Sequence, residues 1–469
     1  MDTKRARKLI EDVWESSIIP TLVEYVRIPN KSPAFDAQWA EHGYMDEAIT
    51  LAENWVREHA PSDASIEVVR LPGRTPVLLV DVPGTAPGNV LLYGHLDKQP
   101  EMIGWDADLG PWDPVLRDGK LYGRGGADDG YAVFASLTAI NVLRDQDIPH
   151  ARALILIETC EESGSFDLPY YIDHLTEKIG TPELVICLDS GAGNYEQLWM
   201  TTSLRGMIGG TLKVDVLKEG VHSGDASGVV ASSFRVAREL LDRIEDSKTG
   251  VMHIAACNAE IPQQRVEQAK AAAECLGGVI SDRFPWVEGM GPVTEDRAEL
   301  VLNRTWRPTL SVTGVAGLPS LQDAGSVLRP GTSLKLSFRL PPTVDATVAY
   351  AAVKEELERE SPYGAQVSFE GSGESGWHAP ILSPWLEDAL NGASMSWFGR
   401  PSMQMGEGGT IPFMGMLGEK FPEAQFVITG VLGPGSNAHG PNEFLHLGMA
   451  KNLTGCMAHV MAIHAKRSL

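Results

Sequence analysis

Apolar residues recur at three- and four-residue intervals from 4 to 28 and again from 38 to 60, which predicts two amphipathic helices at the start of the chain. Short β-rich runs follow at 66–71, 76–82 and 90–93, and a helix is predicted from about Tyr131 to Leu143. The runs "ALILIE" (153–158) and "LVICL" (184–188) are apolar throughout, as expected of strands covered on both faces. Strands alternating with helices predict an α/β layer fold, with a central mixed sheet flanked by helices.

From Gly206 the texture changes. "MIGGTLKVDVL" and "GTSLKLSFRLPP" alternate like strands with one wet face, while "SSFRVARELLDRIED" and "DATVAYAAVKEELERE" read as amphipathic helices. Near Trp377 the chain returns to helix and buried strand, with "QFVITGVLG" and a final helix "LGMAKNLTGCMAHVMAIHA". A chain of 469 residues is too long for one ordinary core. The expected organisation is one α/β domain in two parts, 1–205 and 376–469, with an α+β module at 206–375 inserted between them. The segment 250–305 carries few recognisable signals.

Charge narrows the partners. Sixty-two acidic side chains against 39 basic ones leave a formal net charge of −23, which argues against a nucleic-acid or anionic-membrane partner. No stretch is long enough to span a bilayer, and "MDTKRARKLIEDVW" carries charges where a secretory leader would be apolar. Five scattered cysteines, an odd number without a CxxC pair, give no disulfide framework. A cytoplasmic protein is the expectation.

The candidate chemistry sits where apolar strands end. The strand at 90–93 leads into "GHLD", with His95 and Asp97 two residues apart and therefore on one side of an extended chain. The strand at 153–158 leads to Glu161 and Glu162, that at 184–188 to Asp189, and that at 425–429 to a Gly-rich loop holding His439. Ligands of open α/β sheets bind outside the carboxyl ends of the strands, so these groups are expected to converge, joined by Asp128 of "GRGGADDG". Singly each has an ordinary reading: a loop histidine, a solvated acidic turn, or a helix cap at Asp128-Asp129. Jointly they suit two divalent cations, with His95 and Asp189 on one, Glu162 and His439 on the other, and Asp128 bridging. Zinc fits this mixed imidazole and carboxylate set, with manganese or cobalt acceptable. Asp97 would orient His95 through its other ring nitrogen, and Glu161, pointing elsewhere than Glu162 on an extended backbone, would be the general base.

"GHLD", "WDADLGPWDPVLRDGKLYGRGGADDG", "ETCEESGS", "CLDSG" and "NAHGPNE", in this order and spacing, resemble the successive signatures of the M20 family of di-metal peptidases across nearly the whole chain. The resemblance implies that His95, Asp128, Glu162, Asp189 and His439 are ligands, supported by Asp97 and Glu161. It also implies a non-proline cis peptide at Asp128-Asp129, and that the inserted module is a lid that makes a homodimer. "GVHSGDASG" resembles the lid loop whose histidine, here His222, stabilises the oxyanion in a neighbouring subunit. Arg339 of "LSFRLPP" stands where the family grips a substrate carboxylate, and Gly408, Gly409 and Thr410 of "GEGGTIP" match the loop beside it. His378 of "GWHAP" is expected to line the same pocket.

The branch resembled is that of carnosinase-like and cytosolic nonspecific dipeptidases, which implies hydrolysis of dipeptides or short peptides. An N-acyl amino acid deacylase or desuccinylase on the same core is the rival enzyme, and an inactive metal-binding scaffold is the rival of another class. Other catalytic signatures fail: GxSxG and HExxH are absent, and the GxGxxG match "GSGESG" is followed by His378-Ala-Pro380 where a helix should open.

Overall fold

The structure is a computed structural model that describes residues 1–409 and 411–467. Its main sheet has six strands in the spatial order Ser65–Val69, Val77–Val82, Arg152–Glu158, Asn89–His95, Leu184–Cys187, Gln425–Ile428. The first two strands join antiparallel, and the last four run parallel to one another. The uninterrupted apolar runs follow from burial on both sides. Val90, Leu92, Ile155, Ile157 and Ile186 face one core, which holds the helices Ala132–Asp145 and Leu447–Lys466. Leu91, Tyr93, Leu154, Leu156 and Val185 alternate with them into a second core, on Leu168, Tyr171 and Phe426. Each such side chain contributes about 1.5–3 kcal/mol by leaving water.

The amino-terminal helical stretch runs as Thr3–Val13, a π-helical turn Trp14–Ile18, and Ile19–Arg27, with Asp2 accepting from the Lys4 and Arg5 N–H groups at its start. The second predicted helix is interrupted. Trp39–His42 stops at Gly43, whose φ of +73° is the left-handed backbone that ends helices, and Tyr44–His59 begins afresh beyond it.

Residues from Gly206 onward build a separate antiparallel sheet in the order Thr309–Ala316, Gly331–Leu340, Gly206–Asp215, Gln366–Glu374. Burial alternates strictly along Gly331–Leu340, and its inward residues Leu334, Leu336 and Phe338 pack under the helices Ser233–Ile244 and Ala346–Glu358. The "GSGESG" match lies largely in the last of these strands, and no helix opens after it.

The middle of the inserted segment behaves differently. Helices Gln263–Leu276 and Arg297–Thr305 put Ala269, Ala272, Val301 and Leu302 into the first core, with Trp199 and Met405. They therefore pack on the body that carries the main sheet, beside the small sheet of Trp199–Leu204 and Met403–Glu407. The five cysteines are unpaired, and among the described residues no helix is long and apolar enough to cross a membrane.

Candidate metal centre

Because four neighbouring strands run parallel, their carboxyl ends open on one side of the sheet. His95 ends the strand Asn89–His95 and is fully buried. Gly94 precedes it for a steric reason: a Cβ there would lie 2.6 Å from the Ala132 Cβ and 2.8 Å from Asp129 Oδ2. Only glycine lets the helix Ala132–Asp145 start so close to the strand, and that helix start delivers Asp128. The Asp128-Asp129 peptide is cis, as the family resemblance implies. Neither carboxylate caps the helix. Instead Asp128 Oδ1 is 3.4 Å from His95 Nε2 and Asp128 Oδ2 is 3.0 Å from His439 Nε2. Asp189 Oδ2, from the next strand end, is 3.7 Å from His95 Nε2, and Glu162 Oε2 is 3.3 Å from His439 Nε2.

Glu161 and Glu162 lie on a 3-10 turn, Glu161–Ser163, and not on the extended backbone expected from their position after a strand. The turn is held by Asp97, whose two carboxylate oxygens accept the N–H groups of Glu161 at 3.0 Å and Glu162 at 2.9 Å. The two side chains still diverge, Glu161 Oε2 coming within 4.0 Å of His95 Nε2 while Glu162 faces His439. Asp97 also touches His95, with its main-chain oxygen 3.1 Å and its Oδ1 3.5 Å from His95 Nδ1. The nearer contact to the ring is thus the main-chain oxygen, and the carboxylate is largely committed to the glutamate turn. Gln99 Nε2 donates to Glu162 Oε2 at 2.6 Å, a contact absent from the sequence reading. It was accessible there, since Gln99 continues the two-residue alternation of His95 and Asp97.

His439 stands on a loop at φ +65°, with its side chain 54% exposed. A fully buried ion pair fixes the loop behind it. Arg124 Nη1 donates to Glu443 Oε2 at 2.5 Å and its Nη2 to the Gly440 oxygen at 2.8 Å, while Glu443 Oε1 accepts from the Gly125 N–H at 2.9 Å. One guanidinium thereby joins the loop that carries Asp128 to the loop that carries His439. Arg124→Ala is expected to cost about 3–5 kcal/mol, because Glu443 would lose its cation in the interior and have to bear its charge unpaired or take up a proton. Calorimetric unfolding should show the lower stability, and zinc titration should show weaker binding on the His439 side; an unchanged Tm would contradict the assignment.

Crowded acids set the electrostatics. Burial, reinforced by Asp189, pushes the Glu161 carboxyl well up, and burial with Asp128 does the same to Glu162. Asp189 is pushed up to about 7 by burial and then by Asp128. Burial also opposes ionisation of Asp128, but the imidazoles of His439 and His95 beside it outweigh burial and hold that carboxyl well below the usual range. On His95 burial disfavours the proton, yet Asp128 and Asp97 prevail and raise it. The centre therefore gathers more negative charge than its two imidazoles neutralise. Moreover, the buried His95 Nε2 makes no hydrogen bond among the described residues.

Two sets of potential ligand atoms, His95–Asp128–Asp189 and Asp128–Glu162–His439, each lie within 4.8 Å of one another and share Asp128. An orphaned imidazole nitrogen, surplus carboxylates and this donor set fit divalent cations. A cavity of 270 Å³ opens on the centre, lined among others by Asp128, Glu161, Asp189, Gly409 and His439.

The remaining expected site residues are spread more widely. His222 is on a separate two-stranded ribbon, Val221–His222 paired with Val327–Leu328; it is 69% exposed, with Nδ1 accepting from the Gly224 N–H, and it does not line this chain's own cavity. Arg339 pairs in register with Thr309 and Met207. It lies near Arg205, whose Nε donates to the Gly408 oxygen at 3.4 Å and whose Nη1 is 3.5 Å from Thr309 Oγ1. A Cβ at Gly408 would fit tightly, 3.2 Å from the Arg304 oxygen and 3.3 Å from Arg205 Nη2. Thr410 falls outside the described residues. His378 is placed differently from expectation: its Nε2 accepts from Arg265 Nε at 3.0 Å, its ring meets Trp306 edge-on, and it is absent from the cavity lining. Burial and the adjacent Arg265 lower its pKa to about 4, as suits a packing residue kept neutral.

The chain is similar to known proteins over most of its length. Over 458 residues the chain is 26% identical to the cysteinylglycine-S-conjugate dipeptidase of Corynebacterium striatum, covering 90% of this chain and 95% of that protein. It is 26% identical over 446 residues to the Beta-Ala-His dipeptidase of Homo sapiens, covering 87% and 82%. Among solved structures, the dipeptidase Dug1p of Saccharomyces cerevisiae superposes with a TM-score of 0.78 at 20% identity, over 99% of both chains. Human carnosine dipeptidase 1 gives 0.75 at 21%, over 99% of this chain and 100% of that one. The family model described as peptidase family M20/M25/M40 matches residues 91–463, and the chain belongs to that family.

Proposed function

We propose that this chain is a metallopeptidase that hydrolyses dipeptides or short peptides with two divalent cations, zinc first, held by His95, Asp128, Glu162, Asp189 and His439. The observation that carries the reading is the pair of ligand clusters sharing Asp128 at the mouth of a cavity. The relatives named for dipeptidase activity support the substrate class. Bound cations would polarise the scissile carbonyl and make water acidic. Glu161, beside His95 and unclaimed by either cluster, accepts the proton of the attacking water and returns it to the leaving nitrogen. Asp97 keeps Glu161 and Glu162 in place through their main-chain N–H groups. Arg339 and the loop at Gly408 and Gly409, with Thr410, hold the substrate carboxylate, a task suited to a guanidinium.

The domain reading becomes a body of 1–205 and 376–469 with a lid in 206–375, whose middle helices, 263–305, rest on the body. The lid makes a homodimer and carries His222 to the site of the second copy, a role in keeping with its exposure. The acidic surface and unpaired cysteines support a cytoplasmic enzyme without nucleic-acid or membrane partners.

The test is a panel of free dipeptides and N-acyl amino acids offered to protein stripped of metal and refilled with zinc or manganese. Turnover of dipeptides in the refilled protein is expected. Turnover of N-acyl amino acids alone would assign the deacylase reaction, and metal uptake without any turnover would assign the inactive scaffold.

A further inference from the structure

A second cavity, of 260 Å³, adjoins the one over the metal centre and shares Glu407, Gly409 and Leu432 with it. Two arginines line it, both from the segment that the sequence left without recognisable signals. Arg304 comes from the helix Arg297–Thr305, and Arg283 follows the short helix Val279–Asp282. Among the described residues, Glu407 is the single acid in its lining. Neither arginine has a carboxylate within ion-pair distance among the described residues, in a chain whose acids outnumber its bases 62 to 39. Arg304 Nε is buried without a hydrogen-bond partner among those residues, and its Nη2 meets the Met405 sulfur at 3.3 Å. Arg283 is exposed, with its guanidinium stacked on Phe284 at 4.9 Å. Like charge accumulates around them: Arg205 is lowered to about 10 by burial first and then by Arg339 and Arg304. A buried guanidinium nitrogen without an acceptor is costly, and a carboxylate supplies what it lacks.

We propose that this chamber is an anion subsite that receives a carboxylate on the substrate's side chain, so that peptides with an acidic residue are the preferred class. The proposal rests on the peptidase reading above. It is separate from the main-chain carboxylate assigned to Arg339, because Arg339 is not among the chamber's lining residues. A peptide whose scissile bond lies over the metal centre passes a side chain across the shared wall at Gly409 and Leu432, and Arg304 and Arg283 meet its charge.

The experiment compares kcat/KM for Ala-Glu with Ala-Gln, and for Glu-Ala with Gln-Ala, on the zinc-loaded full chain. At least one acidic peptide is expected to exceed its isosteric amide by about tenfold, the worth of one hydrogen bond to a charged group. Arg304→Met should bring that ratio close to one, and Arg283→Gln, at an exposed position, serves as the second variant if the first does not fold. Equal rates for acid and amide, or a ratio unmoved by the variants, would overturn the proposal. Should no peptide be hydrolysed, the peptidase reading fails by itself, and calorimetric binding of glutarate against its neutral diamide still decides the subsite. Tighter glutarate binding that Arg304→Met weakens about tenfold would support it; equal binding to both proteins would overturn it.

Discussion

Glu161→Ala is expected to lower kcat by about 10²–10⁴-fold while both cations stay bound and KM changes little. The expectation follows from where the side chain lies. Glu161 is held by the Asp97 turn and reaches to 4.0 Å from His95 Nε2, yet it belongs to neither ligand cluster. Its removal takes away a proton acceptor that acts in the transition state, and no donor to a cation. It also takes one acid from a centre in which burial, then Asp189 and Glu162, already oppose ionisation of Glu161, so the fold should not suffer. Glu161→Gln keeps the shape and removes the basicity, and should be as slow. Steady-state kinetics with metal analysis of the same samples checks both parts. Activity within tenfold of the parent protein, or loss of a cation, would move Glu161 out of the base role.

Asp128→Asn should be more disruptive, because it reaches both clusters. Each Asp128 oxygen faces a different histidine, at 3.4 Å and 3.0 Å, so one substitution withdraws an anionic donor from two places. Residues that merely support a ligand cost about 10–100-fold in metal affinity when lost, and a shared direct ligand should exceed about 100-fold at both clusters. After dialysis the variant should keep less than one cation per chain and almost no turnover, whereas Glu162→Gln should spare the cluster of His95 and Asp189. Loss of a single cation in Asp128→Asn would show that the aspartate serves one cluster only.

Much of this centre is legible in the amino-acid sequence. The four parallel strands are legible because burial on both faces removes polar residues from them, and each ends at the polar groups that matter. Those strand ends lead to His95, Glu162, Asp189 and His439, and the structure brings them within a few ångströms of Asp128, which lies in a Gly-rich loop before a helix. The conformation of the glutamate turn was not legible. It is set by Asp97, 64 residues earlier, and local pattern cannot report a bond of that reach. The Arg124–Glu443 pair, 319 residues apart, is hidden for the same reason.

The helices at 263–305 escaped through composition. "QAKAAAECL" places alanine on several sides, so its periodicity does not say which face is buried or against what. Its partner is the strand Met403–Glu407, more than a hundred residues later, and the arginine chamber formed there had no sequence signature. His378 shows the converse error. A histidine in a plausible motif was drawn toward the pocket, whereas Arg265 and Trp306 hold it for packing.

Anomalous diffraction from zinc-loaded crystals tests the central claim most directly. Two peaks per chain are expected, one about 2.0–2.2 Å from atoms of His95, Asp128 and Asp189 and the other equally near Asp128, Glu162 and His439. A single peak, or peaks that leave Asp128 out of either shell, would contradict the account.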